Sequence, residues 1–218
     1  MKLKIMNKKL IILVSSTVLG IEELLESIFA LLSSLGYDVW MSYKGTIPVN
    51  SKLSNVENCL NAVRDCDLFL SIITTRYGSG IVKSHNKSIT HLELEEAIRL
   101  GKPRWVLAHD HVSYTRTLLE KLGYLSSPQR AKLKLTKNIV FDDMRILDMY
   151  EKAISAGIDY ESKKGDWVQT YQSSSDAMLF ASAQFYRYHE VESFINEQFA
   201  KADNLRELLQ SEAANEPD

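Results

Sequence analysis

Three observations predict an α/β protein: short apolar runs alternate with amphipathic helical stretches, the connections are long enough for crossover helices, and Ser71–Pro103 reads as strand, polar loop and helix in immediate succession. The expected architecture is a doubly wound, five-stranded parallel sheet covered by helices on both faces, with a C-terminal helical extension. A chain of 218 residues, 45% hydrophobic and 25% charged, can bury a sizeable core. The expected division is an α/β domain over residues 1–145 and a helical extension over 146–218, packed on that domain or on a partner subunit.

The chain opens with lysines and an apolar run, which imitates a secretion signal. The run from Leu10 to Val14 is cut off by Ser15, Ser16 and Thr17, far short of the roughly 20 apolar residues a membrane span needs. It reads as the first strand. Leu24, Leu25, Ile28, Leu31, Leu32 and Leu35 then recur at helical spacing up to Gly36. YDVWMSY gives a second strand, KGTIPVNSKLS a polar connection, NVENCLNAVRDC a helix and DLFLSII a third strand whose apolar run suits burial on both faces. Thr90 with Glu93 three residues later has capping-box spacing, so a helix is expected from Thr90 with Leu94, Ala97 and Ile98 facing the sheet. PRWVLAH follows as the fourth strand, VSYTRTLLEKLG as a helix and NIVF as the fifth strand.

Beyond Asp143 only helices are expected: MRILDMYEKAISAG, a polar GDWVQTYQSSSD connection, and a long segment from near Asp176. Val191, Phe194, Ile195 and Phe199 form a stripe there, and Phe180, Phe185, Tyr186 and Tyr188 make the segment strongly aromatic. That stripe suits packing on the chain's own sheet or a homo-oligomer interface. The final SEAANEPD is expected to fray.

Charge and cysteines narrow the function classes. Twenty-six basic against 28 acidic residues leave a net charge of −2, so no overall field favours nucleic acid or an anionic membrane. Cys59 and Cys66 have neither a CxxC partner nor a secreted-type framework, which points to a reducing cytoplasm.

In an open parallel sheet ligands bind beyond the carboxyl ends of the strands. The residues following the five expected strands are Ser15, Ser16 and Thr17; Tyr43 and Lys44; Arg76, Tyr77 and Ser79; His109 and Asp110; and Asp142. These are the candidate ligand-binding residues. Ser16 and Thr17 suit either a helix cap or a phosphate contact. No metal and no cofactor are expected: His109 and His111 sit at strand-like separation, and no HExxH spacing exists. Asp67 precedes its strand and reads as structural, at the opposite end of the sheet.

VSSTVLGIEELLE, CDLFLSIITTRYGSG, SITHLELEEA and the GKP before the fourth strand occur together. As a set they resemble the family known as domain of unknown function 4062, over about residues 9–145. The resemblance implies a TIR-like, flavodoxin-like fold related to the nucleoside 2-deoxyribosyltransferases. In those transferase-like relatives a Glu four residues before an Ala attacks or stabilises the sugar carbon, and ELEEA puts Glu93 in that position. The implied function is cleavage of an N-glycosidic bond in a nucleotide, NAD included, as a hydrolase-type effector of prokaryotic antiviral defence. The alternative is a non-enzymatic TIR-like module that self-associates or recognises a nucleotide or protein partner. The expected partner is a nucleotide-like small molecule.

Overall fold

The computed structural model describes residues 9–78, 80–133, 141–163 and 167–188. In chain order, β1 (Ile11–Ser16) leads to α1 (Glu22–Ser34), whose buried Leu24, Leu25, Ile28 and Leu32 follow the helical period read from the sequence. After β2 (Asp38–Trp40) and a 3₁₀ turn at Ser42–Lys44, a capping box of Ser54 and Glu57 starts α2 (Asn55–Asp65). The buried strand β3 (Leu68–Ile73) is followed by the two-residue strands β4 (Ile81–Val82) and β5 (Lys87–Ser88), then α3 (Ile89–Arg99). β6 (Arg104–His109), α4 (Asp110–Lys121), α5 (Ser127–Arg130), α6 (Arg145–Ala153) and β7 (Val168–Tyr171) complete the order.

Five strands form one all-parallel sheet in the order β2-β1-β3-β6-β7. From β1 the chain crosses one way to β2 and then returns past β1 to β3. Right-handed crossovers in opposite directions put α1 on one face and α2 on the other. The step from β3 to β6 continues in the second direction, so α3 joins α2, and the two helices pack together. Leu13, Phe69, Ile73, Val106 and Ala108 meet Ala62, Val63, Leu94, Ala97 and Ile146 in a buried core on that face. The pleat gives Ser15 the same side as Leu13.

The amino end of the sheet is tied by charge. Asp67 Oδ2 accepts the Ile11 N–H at 2.8 Å while the Asp67 N–H reaches Ile11 O, and Lys102 Nζ donates to the carbonyls of Arg64 and Cys66, both at 2.6 Å.

Several local readings change. Ser15 and Ser16 are not beyond β1 but inside it, because they continue the ladder opposite Ser71 and Ile72. The fifth strand is Val168–Tyr171, within the stretch read as a polar connection; Val168 and Thr170 are β-branched, and β6 offers an open edge in register from Val106 to His109. The expected strand NIVF lies at residues 138–140 outside the described residues, with Phe141 following in no regular element. The cap of α3 is Ser88, not Thr90: Ser88 Oγ accepts the His91 N–H at 3.2 Å. The antiparallel β4–β5 pair delivers Ser88 directly to the helix start, and His91 three residues later gives no capping-box signature. Glu93 thereby sits two positions deeper in the helix than a capping-box glutamate.

Residues 1–178 and 179–218 form two compact units. Residues 174–188 are helical, with Ala177, Ala181 and Phe185 buried at one-turn spacing. Val191, Phe194, Ile195, Phe199 and the final SEAANEPD lie outside the described residues. Among the described residues no helix is long and apolar enough to cross a membrane.

The cap assignment has a direct check. Ser88→Ala should lower stability by about 1 kcal/mol, and Thr90→Ala by no more than a few tenths, in urea unfolding. The opposite ranking would return the cap to Thr90.

Candidate functional site

The order in which strands are added reverses between β1 and β3, and from their carboxyl ends the connections leave in opposite directions. Side-chain hydroxyls stitch this gap. Ser16 Oγ donates to Ile72 O at 3.0 Å, and Thr17 Oγ1 and Thr74 Oγ1 share a hydrogen at 2.7 Å. The Arg76 backbone is drawn in, its N–H donating to Thr74 Oγ1 and its carbonyl accepting from Thr17 and Thr74. Neither Ser16 nor Thr17 caps α1, whose N-cap position is Ile21, with no side-chain cap. Gly78 has φ of +90°, and a Cβ there would lie 2.8 Å from Thr17 Cγ2, so this loop needs glycine both for its dihedral and for its closeness to β1.

Glu93 lies on the α2/α3 side of this gap. Its side chain reaches β1, where Ser15 Oγ donates to Oε2 at 2.5 Å, and the Cys59 thiol of α2 donates to the same carboxylate. The residue is only 6% exposed and has no cationic partner among the described residues. Burial pushes its ionisation up to about 7, against the pull of the two hydrogen bonds. The Cys59 thiol is pushed up to about 11, first by burial and then by Glu93. A carboxyl that is half ionised near neutrality can serve as acid, as base or as a negative charge facing a cation.

The opposite side of the gap is a cleft of about 330 Å³ beyond α1 and the ends of β3, β6 and β7, lined among others by Gly20, Thr74, Arg76, His109 and Tyr171. The Arg76 guanidinium has no protein partner among the described residues, which suits it to an anion. His109 is held below the ordinary imidazole range by burial and by nearby His111.

The remaining candidates are engaged elsewhere. Lys44 Nζ pairs with Glu26 of α1 at 2.6 Å and lies over the Phe29 and Tyr43 rings, so it is turned towards α1. Tyr43 is exposed in the 3₁₀ turn. Tyr77 is buried: its Oη contacts His91 Nδ1 at 2.8 Å and accepts the Ser88 N–H, and the Arg145 guanidinium covers its ring at 4.6 Å. Arg145 is itself anchored by Asp143 and by Asn86. Asp142 Oδ1 accepts the Tyr77 N–H at 2.8 Å. These contacts give Tyr77 and Asp142 positions in the wall of the loop. Burial holds His91 down at about 4, so it stays neutral against Tyr77 near pH 7. Ser79 lies outside the described residues.

The structure thus brings Ser15 to Glu93, and Arg76 to His109, on opposite sides of one strand end. It adds Cys59, Thr74, His91 and Tyr171, which the sequence reading passed over. Thr74 had a signal, since it directly follows the third strand. Cys59 and His91 had none beyond a place on a helix, and Tyr171 depended on the unread strand β7.

The fold and site define a doubly wound α/β protein with polar side chains gathered at the strand reversal. The family model described as Domain of unknown function (DUF4062) matches residues 11–158, more than half of the chain, and the chain belongs to that family. Among solved structures it is similar to a 2-desoxiribosyltransferase from Leishmania mexicana, with 16% identity, 69% of this chain and 100% of that chain covered, and a TM-score of 0.38. A likeness that weak says nothing of activity. No curated protein matches.

Glu93 gives stability a pH dependence with a definite sign. Below its ordinary value of 4.5 it is neutral folded and unfolded; from there to about 7 only the unfolded chain releases the proton, so stability falls as pH rises. The full cost, on the order of 3 kcal/mol, applies above about 7. Glu93→Gln lacks this slope, so its stability relative to the parent should rise between pH 5 and pH 8 in parallel denaturant series. A constant difference would mean that Glu93 ionises normally.

Proposed function

We propose that this protein cleaves the N-glycosidic bond of a nucleoside or nucleotide, NAD among the substrates to be tried, with Glu93 acting on the sugar carbon. The observation that carries the reading is a buried carboxyl with no cationic partner among the described residues, ionising near 7 and held by Ser15 one residue short of the end of β1. The rule that ligands bind at the strand reversal of an open parallel sheet supports the location. The ELEEA resemblance supports the role.

Departure of the base breaks the C1′–N bond, with the electron pair leaving on the base, and creates an oxocarbenium-like centre. A carboxylate apposed to that centre stabilises it or forms an ester at C1′. Water then displaces the ester, placing its oxygen on C1′ and releasing a proton. Ser15 and Cys59, donating to the same carboxylate, hold it in one orientation. Arg76, whose guanidinium in the neighbouring cleft has no partner among the described residues, suits the phosphate of a nucleotide.

A second reading rests on how closed Glu93 is. A carboxyl this buried is also what a non-enzymatic nucleotide- or partner-recognising module would contain as a core hydrogen-bonding group.

The experiment is incubation of the purified protein with NAD and the common nucleosides, with free base followed by chromatography. Base release should fall by about 100-fold or more in Glu93→Gln while the variant melts at least as high as the parent at pH 8. Release at the parent rate would remove Glu93 from the chemistry, and no release from any substrate would favour the binding module.

A further inference from the structure

Where β6 ends, the chain turns directly into α4, and His109, Asp110 and His111 occupy that turn. Along a strand, residues two apart are separated by about 6.6–6.8 Å, and that spacing argues against shared ligation. The helix starts at Asp110 instead, and the two imidazole rings come to 4.6 Å, tilted by 51°. His109 Nδ1 is 2.9 Å from Asp110 Oδ1, and His111 Nε2 is 4.0 Å from the same oxygen. Each residue offers a ligand atom, and all three atoms lie within 4.8 Å of one another.

Two buried oxygens, one on Asp110 and one on Tyr171, mark the cluster. Asp110 is 8% exposed, and its Oδ1 has no hydrogen-bond partner among the described residues despite the adjacent imidazoles. The His109 ring is held as the cap of α4, its Nδ1 accepting the His111 N–H at 3.3 Å, a long bond that ligation by the same nitrogen would replace. A carboxylate oxygen with two imidazoles at this range is a donor set that suits a positive centre. Independently, Tyr171 of β7 is 4% exposed with an unpartnered Oη among the described residues. Its ring stands edge-on to His109 at 5.3 Å, and its phenol feels the charge of Asp110.

We propose that His109, Asp110 and His111 form a binding site for a first-row divalent cation, zinc fitting best, opening into the cleft at the ends of β3, β6 and β7. Two imidazoles and one carboxylate are the donor types such ions take, and ligand atoms about 2.0–2.2 Å from a metal lie about 3 to 4 Å from each other. The observed separations bracket that range, and small rotations of the two rings bring the third atom within it. Three protein ligands leave a coordination position free, as catalytic rather than structural zinc sites do. His109 and Tyr171 line the 330 Å³ cleft, which gives water or a ligand oxygen a route to that position, with Arg76 nearby for an attached anion.

The test uses the full chain, stripped with EDTA and dialysed, titrated with zinc chloride by calorimetry and with cobalt(II) by visible absorption. One ion should bind per chain in the micromolar range or tighter, and cobalt(II) should give d–d bands of a low-coordinate nitrogen and oxygen site. His111 is half-exposed, so His111→Ala should fold, verified by circular dichroism, and lose affinity by at least about tenfold, as should Asp110→Asn. His85→Ala, on the β4–β5 turn, should bind like the parent. Absence of binding below millimolar zinc would leave His109 and Asp110 as an ion pair and overturn the site. Undiminished affinity in His111→Ala with Asp110→Asn would do the same by placing the ion elsewhere. Neither outcome depends on base release, so this site and the Glu93 chemistry stand or fall separately.

Discussion

The handedness of the β–α–β crossover, applied twice at one strand, is the constraint on which the rest depends. Because β1 receives β2 on one side and β3 on the other, its two neighbouring helices must take opposite faces, and no connection can cover the gap where they part. Hydrogen-bonding capacity left at the strand ends is met by hydroxyls: Ser16 to Ile72, and Thr17 to Thr74. At the other end of the same strands the work falls to Asp67 and Lys102, whose full charges bind backbone amides and carbonyls. The sheet has one end fastened by ions and another fastened by neutral hydroxyls, and the cleft lined by Arg76 and His109 lies at the second.

Within that frame the placement of Glu93 follows from α3 rather than from its own chemistry. Ser88 starts the helix, the helical period carries position 93 to the sheet-facing side beside Leu94 and Ala97, and the pleat of β1 turns Ser15 to meet it. A hydrophobic side chain there would have packed without cost. A carboxyl in that position costs stability progressively from about pH 4.5, and in full above about pH 7, where it is ionised in a buried setting. Function commonly retains such a group against the preference of the core.

The sheet was legible because its signals are local. DLFLSII announces a strand buried on both faces, and helix–strand alternation implies parallel pairing. Val168–Tyr171 was illegible because four residues between polar stretches become a strand only when β6 presents a free edge. The same distinction divides the site. Ser15 and His109 lie in the last two residues of their strands and Arg76 just beyond one, so the location rule reaches them, whereas Cys59, His91 and Tyr171 arrive through tertiary packing alone. Lys44 and Tyr77 show the limit of that rule: both follow strands, yet Glu26 holds the first and Arg145 covers the second.

One consequence concerns Gly78, where the loop after β3 passes so near Thr17 that even a methyl group would collide with it. The distance between two strand-end loops is thus set by a missing atom. Anyone transplanting the Thr74–Gly80 loop into another scaffold would carry its polar residues faithfully and still lose its shape unless the host strand offered a neighbour as slender as threonine at the matching position. The loop is portable only together with the end of β1, and the two behave as a single interchangeable part.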